Sequence, residues 1–181
     1  MSKAIVFMAD GLEECEGLLV VDILRRAGTE VITASINGTA QVLSSHGIRF
    51  SADVTAEEPD YESADLLILP GGARGTENLA ASEFVKAKCL AFAESKKLAA
   101  ICAAPSIFAQ LGLLNGRKAS VHPSFEAKMN GCEVTHQPVT VDGNITTGRA
   151  LGAAIPFALE LARQLEGEEA AARVAEAICW Q

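Results

Sequence analysis

Residues 98–105, Leu98-Ala99-Ala100-Ile101-Cys102-Ala103-Ala104-Pro105, decide how this chain folds. The apolar run Leu98–Cys102 reads as a buried strand. Pro105 follows at a place where the first turn of a helix loses nothing by lacking an N–H. A strand that passes straight into a helix through a cysteine, with the small residues Ala100 and Ala104 two positions to either side, predicts a nucleophile elbow. Such a turn is strained and lifts one side chain into a crevice.

The same alternation runs outward in both directions. Upstream, Lys3–Met8, the β-branched Glu30–Ser35 (EVITAS) and Asp65–Pro70 (DLLILP) read as strands. Between them, Glu14–Ala27 has helical periodicity at Leu18, Val21, Ile23 and Leu24 and a C-terminal Gly28. Two short strands flank Ser44–Gly47, and Ser82 caps a helix reaching about Ser95. Downstream, strands are expected at 118–121, 133–135, 139–141 and 145–147, the last two joined by the turn Asp142-Gly143-Asn144. Helices close the chain at about 152–165 and 168–178. Strands separated by helices imply a mostly parallel α/β sheet covered on both faces.

The 181 residues suit one domain spanning 1–181, and 49% hydrophobic with 21% charged is globular composition. A net charge of -8 argues against nucleic acid or an anionic membrane as partner. Met1-Ser2-Lys3 runs directly into Ala4–Met8 and Asp10 cuts that run short, so no signal-peptide core is expected. The longest uncharged stretch, 98–116, contains Pro105, Ser106, Gln110 and Gly112, which suits a strand and helix better than a bilayer span. A cytoplasmic location is the expectation. Cys15, Cys89, Cys102, Cys132 and Cys179 are widely spaced with no C-x-x-C pair, so neither a zinc site nor a disulfide framework is expected, and no cofactor. The ordinary role of each is a buried, inert thiol.

In parallel sheets the ligand crevice lies beyond the carboxyl ends of the strands. There the sequence places an acidic cluster (Asp10, Glu13, Glu14, Glu16), Gly71-Gly72, Cys102, His122-Pro123 and Gly148-Arg149. A cysteine at a helix start is expected to gain thiolate character from the helix dipole and nearby N–H groups. The diglycine suits an oxyanion turn, with the Ala103 N–H as second donor, or a plain tight turn. The acids suit a helix N-terminus, unless one points inward as a protonated partner of Cys102. His122 reads as a structural histidine or as a base.

AAICAAP around Cys102, LPGG at 69–72, GLEECEG at 11–17, DILRRAG at 22–28, VHP at 121–123 and TTGRALG at 146–152 together resemble the ThiJ/PfpI superfamily. The likeness is to its DJ-one-like branch of Parkinsonism-associated protein deglycases and bacterial relatives, and it covers nearly the whole chain. It implies a flavodoxin-like α/β sandwich, usually a homodimer. It makes Cys102 the reactive cysteine and Glu16, rather than Glu13 or Glu14, its protonated partner. Gly71, Gly72 and Ala103 become the oxyanion or substrate turn, His122 the nearby histidine and Arg26 an anion-binding arginine. The chain departs from the family pattern at His46, where relatives carry Arg. It departs again at Ala150-Leu151-Gly152, where they often carry Gly-Pro-Gly, and at Cys15, an apolar position near the relatives' dimer axis. Two Cys15 side chains are accordingly expected to approach each other across a dimer.

The implied activity is cofactor-free conversion of methylglyoxal or glyoxal to a hydroxy acid, with deglycation of early glycation adducts. The alternative is a redox sensor or stress chaperone working through oxidation of Cys102. Peptidase chemistry fits poorly, because those relatives place His directly after the nucleophile and this chain has Ala103.

Overall fold

The structure, a computed structural model, describes residues 2–180; Met1 and Gln181, the ends of the expected 1–181 unit, lie outside them. Strands β1 (Lys3–Met8), β2 (Glu30–Ser35), β3 (Gln41–Leu43), β4 (Arg49–Ser51), β5 (Val54–Thr55), β6 (Leu66–Leu69) and β7 (Lys97–Ile101) alternate with helices α1 (Glu14–Ala27), α2 (Ala73–Ala81) and α3 (Glu83–Ser95). Then come α4 (Pro105–Gln110), β8 (Lys118–Ala119), β9 (Glu133–Val134), β10 (Val139–Asp142), β11 (Ile145–Gly148), α5 (Ala154–Glu166) and α6 (Glu168–Ala177).

Seven strands form the central sheet in the order β10-β11-β7-β6-β1-β2-β5, and only the β10–β11 pair is antiparallel. β3 and β4 form a separate antiparallel hairpin around Ser44–Gly47, as expected. Strand residues alternate between two apolar layers. Ile5, Phe7, Leu67, Leu69, Leu98 and Ala100 face one layer with Val85 and Phe92 of α3 and Phe108 of α4. Ala4, Val6, Met8, Leu66, Ile68, Ala99 and Ile101 face the other, covered by α1, α5 and α6 through Val20, Leu24, Phe157 and Val174. A sheet buried on both faces needs unbroken apolar strands, and that is how LLIL at 66–69 is written.

The chain leaves β1 toward β2 and β5, then returns to β6 on the other side of β1. The order therefore reverses between β1 and β6, the place where open α/β sheets bind ligands.

The structure departs from the sequence reading in several places, among them a 3-10 helix over Pro123–Lys128 and the end of β7 at Ile101, one residue short of Cys102. α2 was not foreseen: it begins directly after Gly72 with no side-chain cap, and of its apolar side chains only Leu79 is fully buried. β5 was also missed, being two residues long. The strand expected at 118–121 stops at Ala119. The helix expected from 152 begins at Ala154, after a 3-10 turn over Leu151–Ala153. Among the described residues no helix is long and apolar enough to cross a membrane.

Candidate active site

Three strand ends build the site: Glu16 follows β1, Gly71-Gly72 follows β6 and Cys102 follows β7. Cys102 lies just outside its strand in the left-handed region, at φ 64, a conformation costing roughly 1–2 kcal/mol for a non-glycine residue. Both its backbone groups are tied down against that strain. Its N–H donates to Gly148 O (3.0 Å), and its carbonyl accepts from His122 N–H (2.8 Å). The elbow is therefore present, supported from both sides.

Glu16 owes its position to an altered helix cap. Glu13 is the N-cap of α1, and its carboxylate accepts from Glu16 N–H at 2.7 Å. In an ordinary capping box the glutamate three residues on would return the favour to the cap's own N–H. Here Glu13 N–H donates instead to Gly71 O (3.0 Å). The Glu16 carboxyl is released to turn inward, where the residue is 1% exposed.

Gly71 makes the meeting of Glu16 and Cys102 sterically possible. A methyl group there would strike Glu16 Oε2 and come within 2.5 Å of Cys102 Cβ. Gly72, at φ 90, would drive a side chain into the backbone of Gly11 and Glu13.

Burial pushes the Glu16 carboxyl up to about 7, and the neighbouring Glu13 charge adds to the rise. The Cys102 thiol and the amides of Gly71 and Leu151 face the carboxyl and offset part of it. Oε2 itself is buried with no hydrogen-bond partner, a costly place for a full charge. The Cys102 thiol is pushed up to about 12, by burial first and then by the charge and hydrogen bond of Glu16. The amides of Gly72 and Ala103 face the sulfur and pull the other way. This corrects the expected thiolate character: α4 is one short helix, and its N-terminal amides are outweighed by burial and the carboxyl.

The other expected residues are distributed unevenly. Gly71, Gly72 and Ala103 adjoin the pair. His122 holds the Cys102 carbonyl through its backbone, and its Nδ1 accepts from Ser124 N–H (3.2 Å), so its ring serves as the cap of a 3-10 turn. Arg26 is a correction. It lies ten residues beyond Glu16 on α1, about 15 Å along the axis, exposed and paired with Asp22 at 2.6 Å, so the fold of this chain does not bring it to Cys102. His46 pairs with Glu14 at 2.8 Å and Asp10 ties the loops after β1 and β2 together through Asn37 and Leu43, so neither joins the pair. Glu13, Glu14 and His46 bring donor atoms within 4.8 Å of one another, the one grouping of possible metal ligands among the described residues. Its Glu13 already caps α1, and Glu14 already holds Ser45 and His46.

Sequence reading missed the Leu151 amide, because a backbone donor leaves no signature in residue type. It also missed Pro138, which closes a pocket beside His122.

The DJ-1/PfpI family profile matches residues 2–164. The chain belongs to the DJ-1/PfpI family. Protein dj-1beta of Drosophila melanogaster is 36% identical to this DJ-1/PfpI chain over 183 residues, covering 98% of it and 97% of the fly protein. The crystal structure of that fly DJ-1beta superposes over the whole of both chains with a TM-score of 0.96 at 33% identity. Toxoplasma gondii DJ-1, solved in an oxidized form, gives a TM-score of 0.95 at 33% identity over 99% of both chains. A protein named a deglycase in Pyrococcus abyssi is 31% identical over 153 residues, 83% of this chain and 91% of its own length. DJ-1 homolog B of Arabidopsis thaliana is 36% identical over 177 residues, which are 97% of this chain but only 40% of the plant protein.

Proposed function

We propose that this DJ-1/PfpI-family chain is a cofactor-independent, cysteine-dependent enzyme that converts methylglyoxal or glyoxal to a hydroxy acid and reverses early glycation adducts. One observation carries the reading: a buried carboxyl, raised to about 7, faces a cysteine whose sulfur also meets two backbone amides. The deglycase name borne by the archaeal relative supports it.

In this reading Cys102 sulfur adds to the aldehyde carbon, its proton passing to the new oxygen through Glu16, to give a hemithioacetal. The amides of Gly72 and Ala103 hold the developing oxyanion. Glu16 then removes the hydrogen from the former aldehyde carbon and returns a proton to the adjacent carbon, turning the hemithioacetal into the thioester of a 2-hydroxy acid. Water cleaves the thioester, releasing the acid and restoring the thiol. One carbon is oxidised and its neighbour reduced, so no external oxidant is needed. A carboxyl titrating near 7 is matched to moving protons in both directions at neutral pH.

The test is lactate formation from methylglyoxal, without glutathione, by the wild type and by Cys102→Ser. Lactate from the wild type alone is the expected result; none from fully reduced wild type overturns the reading.

A second reading uses the same pair and is favoured by the oxidized form of the Toxoplasma relative. Cys102 is oxidised by peroxide to sulfenic and then sulfinic acid, and Glu16 donates a hydrogen bond to the new oxygen. A gain of two oxygen atoms in intact mass, absent from Cys102→Ser, is its mark. Under either reading residues 1–181 act as one cytoplasmic domain paired in a homodimer, and a solution mass of one chain would overturn the pairing.

A further inference from the structure

The two backbone groups that hold the elbow are joined to each other. Gly148 O accepts the Cys102 N–H, and His122 N–H donates to the Cys102 carbonyl. Ser120, two residues before His122, donates its own N–H to Thr147 Oγ1 (2.8 Å), and Thr147 immediately precedes Gly148. A closed ring of contacts results, running from Cys102 through Gly148, Thr147, Ser120 and His122 back to Cys102. Every link in it is backbone except one, the Thr147 hydroxyl. Ser120 is fully buried and Thr147 is 1% exposed, so bulk water has no access to that bond.

Ser120 is in turn held by hydroxyls whose protons their neighbours assign. Its Oγ donates to Gln137 O (2.7 Å) and lies 2.7 Å from Thr140 Oγ1 and 3.1 Å from Thr135 Oγ1. Thr135 and Thr140 bring their hydroxyls within 2.6 Å of each other. With the Ser120 proton spent on Gln137, two protons serve three contacts. The two shorter contacts take them: Thr135 donates to Thr140, and Thr140 to Ser120. Thr147 Oγ1 faces Thr140 O at 3.5 Å, so its proton points there and a lone pair remains for the Ser120 amide.

We propose that Thr147 is a positioning residue of the active site: through Ser120 it sets the separation of Gly148 O and His122 N–H, and so keeps Cys102 in the left-handed conformation that aims its side chain at Glu16 across Gly71. Without the hydroxyl the Ser120 amide is buried and unpaired, and the ring opens. The strain at Cys102, φ 64, is then free to relax. A sulfur that swings away from Glu16 loses its partner in proton transfer. It also escapes the burial and the charge that oppose its ionisation. Turnover and bare thiol reactivity should therefore change in opposite directions. The turnover half of this inference rests on the enzymatic reading above; the reactivity half does not.

The experiment compares Thr147→Val, which keeps the shape of the side chain and removes the hydroxyl, with Thr147→Ser, which keeps the hydroxyl. Thr146→Val is the control: Thr146 is equally buried on the other face of β11, and its hydroxyl accepts from Gln164 Nε2 (2.9 Å). Well below its unfolding temperature, Thr147→Val is expected to lower kcat for methylglyoxal about a hundredfold with KM unchanged, the scale of a displaced reacting group. Its Cys102 should at the same time react about tenfold faster with iodoacetamide at one alkaline pH, the gain in thiolate when a thiol is lowered by one pH unit. Thr147→Ser is expected to restore both, and Thr146→Val to change neither. Wild-type kcat in Thr147→Val, or an equal loss in Thr146→Val, overturns the positioning role and leaves the enzymatic reading standing. No lactate from the wild type overturns the enzymatic reading, and alkylation then decides alone: an unchanged rate in Thr147→Val overturns the positioning role as well. Should Thr147→Val fail to fold, Ser120→Ala carries the same two measurements, since it drops the contacts to Gln137 and Thr140 and keeps the amide.

Discussion

The Glu16 carboxyl and the Cys102 thiol face each other across Gly71, and the carboxyl makes the thiol harder to ionise while the thiol's hydrogen bond eases ionisation of the carboxyl. Burial lifts the carboxyl to about 7 and the thiol to about 12, and the Glu16 charge adds to the thiol's rise. The first proton therefore leaves from Glu16 near pH 7, and the thiol keeps its own until strongly alkaline pH.

Alkylation of Cys102 by iodoacetamide should therefore be slow at pH 7 and keep accelerating with pH beyond 9.0, the ordinary thiol value. In Glu16→Gln the charge that opposes the thiolate is gone, so the onset should move down. It should still lie above the ordinary thiol value of 9.0, because burial continues to oppose the thiolate. An onset that the variant leaves unchanged would show that the carboxyl does not govern the thiol.

Stability should carry the same signature. A carboxyl raised from 4.5 to about 7 keeps its proton in the fold where the unfolded chain has lost it. Its contribution is thus fully present below pH 4.5 and disappears as pH rises through about 7. Glu16→Gln should match the wild type in urea unfolding near pH 4 and exceed it by about 3 kcal/mol at pH 8. A difference that does not change with pH would contradict the raised carboxyl.

The diglycine is expected to tolerate no side chain. Gly71→Ala sets a methyl against both Glu16 and Cys102, so turnover of methylglyoxal should fall at least about a hundredfold, the scale of a displaced catalytic group. Gly72→Ala meets backbone atoms at 2.5 Å and a positive φ, and should cost about 1–3 kcal/mol in unfolding as well as activity. Wild-type rates in Gly71→Ala would mean that the pair does not act together.

Cys15 is exposed on the first turn of α1, and its thiol is raised by partial desolvation and by Glu13, Glu14 and Glu16. If two copies pair around this turn, mild oxidant should yield a disulfide-linked dimer on a non-reducing gel. The dimer should form slowly at pH 7 and be absent in Cys15→Ser. A band that remains monomeric would remove Cys15 from the interface.

The core strands and the helix α1 were legible because their residues leave little choice. Lys3–Met8 and LLIL at 66–69 are apolar on both faces, and Gly28 ends α1 with φ 105 where its Arg25 and Leu24 carbonyls need a donor. α2 was not legible, since ARGTENLAA has no cap and little apolar surface; it is helical because the chain leaving Gly72 packs on Leu12 and Gly11. Arg26 fits the family pattern in sequence, yet its side chain leaves α1 on the solvent side, where Asp22 takes it.

By itself the sequence determined the α/β alternation, the position of the elbow at Cys102 and the small residues around it, because periodicity, glycine and proline act locally. Only the tertiary structure decided how Glu16, which the resemblance singled out among four nearby acids, is brought to the thiol, and that the thiol is raised and not lowered. The placing of Glu16 depends on the Glu13 amide finding the carbonyl of Gly71, in the turn after β6 and more than fifty residues away. The titration depends on burial, which belongs to the packed sheet and to no segment of it.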